Sequence, residues 1–429
     1  MQTHRALVFR VAWNERHLEW LLTEFRLIVN EAIRAALKED VRSHMRLARA
    51  VYADLSARHC IHKKYISSAF EVALSILKAH RRRLRKRKKS SVPYMRRLML
   101  RADNQSYWLD RDTGRIRIPI RGTEGVQLQL PLSNWHRSIL GDQSWELGSL
   151  TVTPGKIIVV VRQDAPLPFE PRRAIALDTN EDSLDGVIAE GASAVLVTIH
   201  LDGVRQVQAT HFRRRRKLAQ RKAHDRRIAR RLLRREGLRE RNRVRQRLHR
   251  VSKGLVRLAT EARAAIVLED LTLHGAGGRS RRMNRRLSSW PRGEIHRQIE
   301  YKAALEGVPV IKVNPAWTSK TCPVCGARRR DRVGKVFVCL MCDWEMDRQI
   351  NAGLNILKTA LASNEALARA VRFQPGALRH DVVSPLYDLL REGGGAREEP
   401  SGVESAVARR LRKVAARQNH SFLEPSSAT

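Results

Sequence analysis

Two Cys-x-x-Cys pairs, Cys322-Pro-Val-Cys325 and Cys339-Leu-Met-Cys342, stand thirteen residues apart, and Asp347-Arg-Gln-Ile-Asn351-Ala-Gly-Leu-Asn355 follows at once. Four thiolates at this spacing match the tetrahedral preference of Zn²⁺ and leave no position open for catalysis, so one structural zinc is expected. The competing reading is a pair of disulfides or idle thiols. An acid that opens a helix directly behind such a ribbon sets a carboxylate beside a metal module. Two further acids end apolar runs upstream: Asp178 in Ala176-Leu-Asp178-Thr-Asn180, and Glu269 in Ile266-Val-Leu-Glu269-Asp270. A strand buried on both faces has no structural use for an unpaired carboxylate at its end, because burying the charge is costly. A divalent cation removes that cost. Two or three carboxylates around two Mg²⁺ ions roughly 4 Å apart are the standard apparatus of phosphodiester cleavage. Taken singly, each acid reads equally well as a turn former or helix cap. The order Asp178, Glu269, Asp347, with the ribbon just before the last, selects the catalytic reading.

The chain has 429 residues, enough for two or three domains, and its 83 Lys and Arg against 43 Asp and Glu give a net charge of +40. Self-repulsion of that size calls for a polyanion, and nucleic acid is the leading partner. A membrane surface is the weaker alternative, since no apolar run reaches the roughly twenty residues of a span. The N-terminus lacks the pattern of a secretory leader, and five cysteines, four paired by motif and Cys60 alone, point to a reducing cytosol. Three basic clusters are candidate nucleic-acid contacts: Arg81, Arg82, Arg83, Arg85 and Lys86; Arg213, Arg214, Arg215, Arg216 and Lys217; and Arg279, Arg281 and Arg282. The competing reading of each is a solvated helix face. Trp108, Trp135, Trp145 and Trp290 either stack on bases or pack in cores.

These residues need a scaffold. The periodicity predicts a strand over 5–13, a long helix through Leu18, Leu21, Leu22, Phe25, Ile28 and Ala32, and further helices over 41–58 and 65–89. A β-rich stretch follows, with alternation at 115–118 and 126–130 and a hairpin over 149–161 turning at Pro154-Gly155. Pro166, Pro168 and Pro171 mark a linker. Beyond it, strands are expected at 174–178, 194–199, 205–212, 264–270 and 308–313, with a basic helical stretch over 213–263, giving a mixed sheet with helices on its faces. A last helix is expected over 347–361. The chain after 363, with Gly393-Gly-Gly395 and Pro400, reads as largely flexible, save a short basic helix over 406–418.

Four stretches, ALDTNEDS, IVLEDL, EYKAALEGVPVIKVNPAWTSKTCPVCG and CDWEMDRQINAGLNIL, resemble the TnpB family of transposon-encoded RNA-guided nucleases and the compact type V CRISPR effectors descended from them. The match covers 173–361. It implies an α+β multidomain protein: a β-barrel wedge domain (1–14 and 93–170), a helical recognition insert (15–92), and a RuvC-like, RNase H fold nuclease domain (171–317 and 345–362) interrupted by the four-Cys zinc ribbon (318–344), with a tail at 363–429. It further implies Asp178, Glu269 and Asp347 as ligands of two Mg²⁺ ions. Its partners are a guide RNA and double-stranded target DNA read beside a short flanking motif, held by one chain or a homodimer on one RNA, in a prokaryotic, nucleoid-associated cytosol. In one respect the chain departs from the family. Many members carry Asp-Arg-Asp-x-Asn-Ala in the third motif, where this chain has Asp347-Arg-Gln349-Ile-Asn351-Ala. An active enzyme then relies on Asp347. The alternatives are a guided DNA binder that does not cut and a zinc-ribbon RNA-binding protein without catalysis.

Overall fold

The computed structural model of the chain describes residues 2–11, 15–86, 91–191, 193–220, 225–270, 280–328, 334–373 and 383–388. It divides into two units, Met1–Asp164 and Ala165–Thr429.

In the first unit, strand β1 (Gln2–Phe9) leads into helices α1 (Arg16–Lys38), α2 (His44–Arg58) and α3 (Lys63–Arg85). Strands β2 (Leu100–Ala102), β3 (Trp108–Leu109), β4 (Arg115–Arg121) and β5 (Glu124–Gln129), helix α4 (Asn134–Leu140), and strands β6 (Glu146–Thr153) and β7 (Lys156–Asp164) complete it. The strands form a four-stranded sheet, β1-β7-β6-β2, and a three-stranded sheet, β3-β4-β5. β1 pairs antiparallel with β7, from Gln2↔Asp164 to Phe9↔Ile157, so α1 to α3 are inserted between strands of one sheet. α1 forms because Leu18, Leu21, Leu22, Phe25, Ile28, Val29, Ala32, Ile33 and Ala36 make one apolar stripe, and all are buried. The β6–β7 hairpin turns at Gly155, whose φ of 77° suits glycine.

In the second unit, the strands are β8 (Arg173–Thr179), β9 (Ser183–Glu190), β10 (Ser193–His200), β11 (Ala264–Glu269) and β12 (Val310–Val313), then β13 (Val336–Val338), β14 (Glu345–Asp347) and β15 (Val383–Asp388). The helices are α5 (Val204–Gln220), α6 (Arg226–Glu261), α7 (Arg281–Ser289), α8 (Arg292–Leu305), α9 (Arg348–Ser363) and α10 (Glu365–Val371). A six-stranded sheet has the order β12-β11-β8-β9-β10-β15. β8, β9 and β10 run antiparallel, while β11 joins β8 and β12 in parallel. Alternate residues along β8 serve opposite faces. Ile175 and Leu177 pack with Leu248, Val251 and Leu255 of α6 and Ile295 and Ile299 of α8. Ala174 and Ala176 pack with Ile350, Leu354 and Leu357 of α9.

The α9 face is built of small residues, and the spacing shows why. A methyl group on Gly353 would sit 2.5 Å from the Cα of Gly186, and one on Gly186 would sit 1.8 Å from the carbonyl oxygen of Ala176. Glycine on glycine lets α9 lie almost against the strands, which brings the start of that helix to the sheet.

The structure corrects three sequence expectations. Residues 205–212 lie in helix α5, not in a strand: Val207, Ala209 and His211 alternate, but Val204 and His211, seven apart, are the positions buried. Asp202 (φ 49°) and Gly203 (φ 68°) turn the chain into that helix. The third strand of the meander is instead supplied by the pair flanking residue 192, because Ser183–Glu190 is a strand that the polar Asp185-Gly186 step conceals. After residue 363, α10 follows α9 directly and β15 pairs in parallel with β10. Both stand where a flexible tail was expected, while residues 406–418 lie outside the described residues. The segment after residue 164 is tied to the second unit, since Phe169 N–H donates to Gly307 C=O (3.0 Å) and Arg172 N–H to Arg263 C=O (2.8 Å). The boundary therefore precedes the prolines. Among the described residues, no helix is long and apolar enough to cross a membrane.

Candidate functional site

β8 and β11 are adjacent and parallel, paired through Leu177↔Leu268, so Asp178 and Glu269 emerge side by side at their ends. Their carboxyls are hydrogen-bonded to each other. Glu269 is buried. Burial, and after it the neighbouring Glu269 and Asp185, push the Asp178 carboxyl up to about 8. Burial raises Glu269 as well, against the hydrogen bond from Thr318 Oγ1 to its Oε1 at 2.5 Å. The pair therefore favours its protonated forms over two adjacent charges. Among the described residues neither acid forms an ion pair with Lys or Arg, although the chain carries +40.

The structure adds a residue that sequence reasoning missed. Asp185 lies opposite Asp178 in the β8–β9 register and is 2% exposed. Asn180 Nδ2 donates to both carboxylates, at 3.3 Å to Asp178 and 2.9 Å to Asp185, and Ser183 Oγ donates to Asp185 at 2.5 Å. Burial pushes Asp185 up, and Asp347 adds to the rise. The available signal was an acid set within the apolar run Leu184, Val187, Ala189.

Asp347 caps α9: its Oδ1 accepts the Gln349 N–H at 2.8 Å. It is buried, and burial raises it above the usual carboxylate range while the backbone N–H groups of Gln349 and Ile350 oppose the rise. The structure does not close Asp178, Glu269 and Asp347 into one ligand shell. Among the described residues, the four cysteines alone form a group of three or more metal-ligating side chains whose ligand atoms all lie within 4.8 Å of one another. The oxygen donors of Asp178, half-buried, and Glu269, buried, do fit a hard divalent ion such as Mg²⁺.

The Asn351-x₃-Asn355 spacing of α9 also acquires a role. Asn355 Nδ2 donates to the carbonyls of Thr318 (2.8 Å) and Thr321 (2.7 Å), and Asn351 Nδ2 to that of Thr321 (3.0 Å). One turn of helix thereby clamps the loop that carries Thr318 to Glu269 and leads into Cys322. At the end of β8, Thr179 Oγ1 meets His296 Nε2 of α8 at 2.7 Å, and burial pushes that imidazole down to about 4, so it is neutral.

The cysteines meet in two knuckles. Cys322 Sγ lies 3.6 Å from Cys342 Sγ, and Cys325 Sγ 3.5 Å from Cys339 Sγ. A disulfide needs about 2.05 Å, whereas sulfurs around a tetrahedral Zn²⁺ lie about 3.8 Å apart. The donor set fits one structural zinc. Gly326 (φ 78°) and Asp343 (φ 53°) each follow the second cysteine of a pair and turn the chain in the left-handed region. Asp343 is therefore a turn residue of the ribbon. Burial pushes the Cys322 thiol up to about 12, while the Ala327 backbone N–H brings Cys325 down to about 7.

The basic clusters divide. Arg81 is spoken for, bonding Asp40 (3.0 Å) and the Val41 carbonyl (3.2 Å), whereas Arg82, Arg83, Arg85 and Lys86 are exposed. Arg214 and Arg215 pair with Glu236 and Glu240 of α6, and Arg213, Arg216 and Lys217 face solvent. Arg281 is exposed; Arg279 and the Arg282 side chain lie outside the described residues. Of the tryptophans, Trp145 is buried, Trp290 donates Nε1–H to the Asn180 carbonyl at 3.0 Å, and Trp108 and Trp135 are exposed.

The chain is similar to several known proteins. Residues 293–356 match the model of the Cas12f1-like TNB domain, and residues 21–119 that of the uncharacterized MJ0013 family. The TnpB-like protein MJ0751 of Methanocaldococcus jannaschii is 26% identical over 241 residues, 54% of this chain and 86% of that protein. The CRISPR-associated endodeoxyribonuclease Cas12f1 of Sulfoacidibacillus thermotolerans is 35% identical over 112 residues, a quarter of each chain (25% and 25%). In fold, the chain resembles Cas12f1 in a cryo-EM complex with sgRNA and target DNA (TM-score 0.58, 15% identity, covering 80% of this chain and 83% of that one). It also resembles the mini-RNA-guided endonuclease CRISPR-Cas_phi3 (TM-score 0.53, 11% identity, 84% and 92%). These similarities all point to TnpB-like proteins and compact Cas12 effectors.

Proposed function

We propose that the chain is an RNA-guided DNA endonuclease whose reaction centre is built on Asp178 and Glu269. The observation that carries this reading is the pair itself: a half-buried and a buried carboxyl, hydrogen-bonded to each other at adjacent strand ends, with no Lys or Arg paired to either among the described residues of a strongly basic chain. The strand order β12-β11-β8-β9-β10, with an antiparallel meander joined to two parallel strands, supports a RuvC-like, RNase H fold. Asp178 and Glu269 would hold Mg²⁺, with Asp347 as third acid and Asp185 beside them. Bound there, Mg²⁺ lowers the pKa of water and stabilises charge on phosphate and leaving oxygens. The protein's own part is geometric and electrostatic. Asn180 spaces Asp178 from Asp185, Thr318 fixes one oxygen of Glu269, and α9 holds Asp347 at its first turn.

Residues 1–14 and 93–164 would form the wedge domain, 15–92 the recognition insert and 318–344 the ribbon with one Zn²⁺. Guide RNA and target DNA would lie against exposed Arg82, Arg83, Arg85, Lys86, Arg213, Arg216, Lys217 and Arg281, with a flanking DNA motif read by the protein. A second reading has a specific observation behind it: Gln349 replaces an acid, and Asp347 already spends one oxygen on the cap of α9. On that reading the chain occupies its target without cutting. Incubating the purified protein–RNA complex with Mg²⁺ and a plasmid library, randomised beside a guide-matched target, separates the two. Guide-dependent cuts next to one motif support the nuclease. Guide-dependent retention of uncut plasmid overturns it in favour of the binder.

A further inference from the structure

We propose that Trp317 is a stacking platform for an unpaired base of the DNA strand presented to Asp178 and Glu269. The inference rests on reading that centre as one that handles a nucleic-acid strand.

Trp317 stands between β12 and the first knuckle, and it is 45% exposed. Its backbone lies in the left-handed region, with φ of 70°. For a bulky L-residue that conformation costs about 1–2 kcal/mol, and it persists only where the surroundings enforce it. They do so on both sides. The Trp317 carbonyl accepts the N–H groups of Lys320 (2.9 Å) and Thr321 (3.0 Å) and the Thr321 hydroxyl (3.0 Å). The next residue, Thr318, is buried, donates to Glu269, and has its carbonyl held by Asn355. The indole is thus one residue from a side chain that touches the carboxylate pair, fixed by the same clamp.

What surrounds the ring is cationic. Lys320 Nζ lies 5.4 Å and Arg328 Cζ 5.3 Å from its centroid. At an exposed site such contacts contribute about 0.5–1 kcal/mol each, which does no more than offset the backbone strain. Among the described residues, Lys320 and Arg328 are the ring contacts of this exposed indole. A nucleotide supplies what is missing: its base covers the ring and its phosphates meet the two cations, a combination worth about 1–3 kcal/mol per stacked base. Trp108 and Trp135, also exposed, lie in the other unit, and Trp290 is anchored through its indole N–H to Asn180. A deoxyribose strand is the fitting occupant because the adjacent carboxylates are those assigned to DNA cleavage.

The test is photochemical crosslinking of the full-length protein, without added Mg²⁺, to a single-stranded DNA carrying one iodouracil at successive positions. Elevated salt suppresses contacts made by charge alone. The expected result is a crosslinked peptide containing Trp317 that disappears in Trp317→Ala and returns in Trp317→Tyr. Trp317→Ala should also weaken binding of this strand by about 5- to 150-fold, and an abasic nucleotide at the crosslinking position should remove that difference. Crosslinks confined to other tryptophans, or additive losses from Trp317→Ala and the abasic site, would overturn the proposal. An iodouracil RNA strand captured at Trp317 in preference to DNA would overturn the assignment to DNA. Zinc content of Trp317→Ala reports whether the ribbon is intact; if it falls, the crosslinks of the unmodified protein and of Trp317→Tyr decide. Because no cleavage is read, an inactive carboxylate centre leaves a Trp317 crosslink standing. Guided cleavage with no Trp317 crosslink removes the stacking proposal alone.

Discussion

The cysteine knuckles and the carboxylate centre are both arranged to take metal, yet they are prepared in opposite ways. The four sulfurs already approach tetrahedral separations, 3.5 and 3.6 Å across the knuckles. The acids stop short of a common shell, and burial holds Asp178 and Glu269 above the usual carboxylate range. The difference is one of charge. Thiols carry little charge to repel one another, and turns at Gly326 and Asp343 can set them before any ion arrives. Buried carboxylates repel, so the fold brings them only to the distance that a protonated form tolerates. A structural site is closed by its backbone, and a reactive one is left for its ligands to close.

That contrast can be broken most severely at the knuckles. Cys322→Ser should lower bound zinc from one equivalent to well below half and sharply destabilise the ribbon, since structural zinc contributes on the order of 10 kcal/mol in small zinc modules. Metal analysis beside thermal melting of the variant checks this, and full zinc content with an unchanged melt would end the structural assignment. At the other site the fold should survive and the chemistry should not. Asp178→Ala and Glu269→Ala are expected to lower guided cleavage by at least about 10³-fold with target binding retained. Cleavage near wild-type rate by either variant would remove both acids from the metal site.

A pH titration of stability sharpens the comparison further. Asp178 is raised to about 8 in the folded chain from an ordinary value near 4. Between those values the folded state binds more protons than the unfolded one, so stability falls as pH rises from about 4 to about 8 and levels off above. Asp178→Asn should flatten this slope, and added Mg²⁺ should flatten it in the unmodified chain. An equally steep slope in the variant would assign the proton elsewhere. The smallest expected change is at the clamp: Asn355→Ala loses the bonds to Thr318 and Thr321 and should cost about 1–3 kcal/mol. Denaturant unfolding measures it, and an unchanged midpoint would show that the loop stays in place without Asn355.

The sequence carried the two kinds of site unequally. Cys-x-x-Cys pairs are local, so their spacing fixed the geometry in advance. Asp178 and Glu269 were legible because each ends an apolar run whose burial leaves a charge to explain. Asp185 was harder to read, because the Asp185-Gly186 step makes its strand look polar and its pairing with Asp178 across the sheet leaves no local trace. That same glycine is explained only by Gly353, more than 160 positions away, and close packing of that kind leaves no local trace. Residues 205–212 were misread because a two-residue alternation and a helical stripe coincide over so short a span. The short elements after residue 363 take their order from partners: β15 from the edge of β10, and α10 from the end of α9.

The pairing of β1 with β7 has a consequence for how the chain is made. Gln2 leaves the ribosome long before its partner Asp164, which follows only after four helices and five further strands. At about 5–20 residues per second, that is a wait of roughly 8–30 s. Throughout it the opening strand has an unpaired edge, the condition under which nascent strands find wrong partners. The stretch of greatest risk during synthesis is thus the one most ordinary in the finished protein.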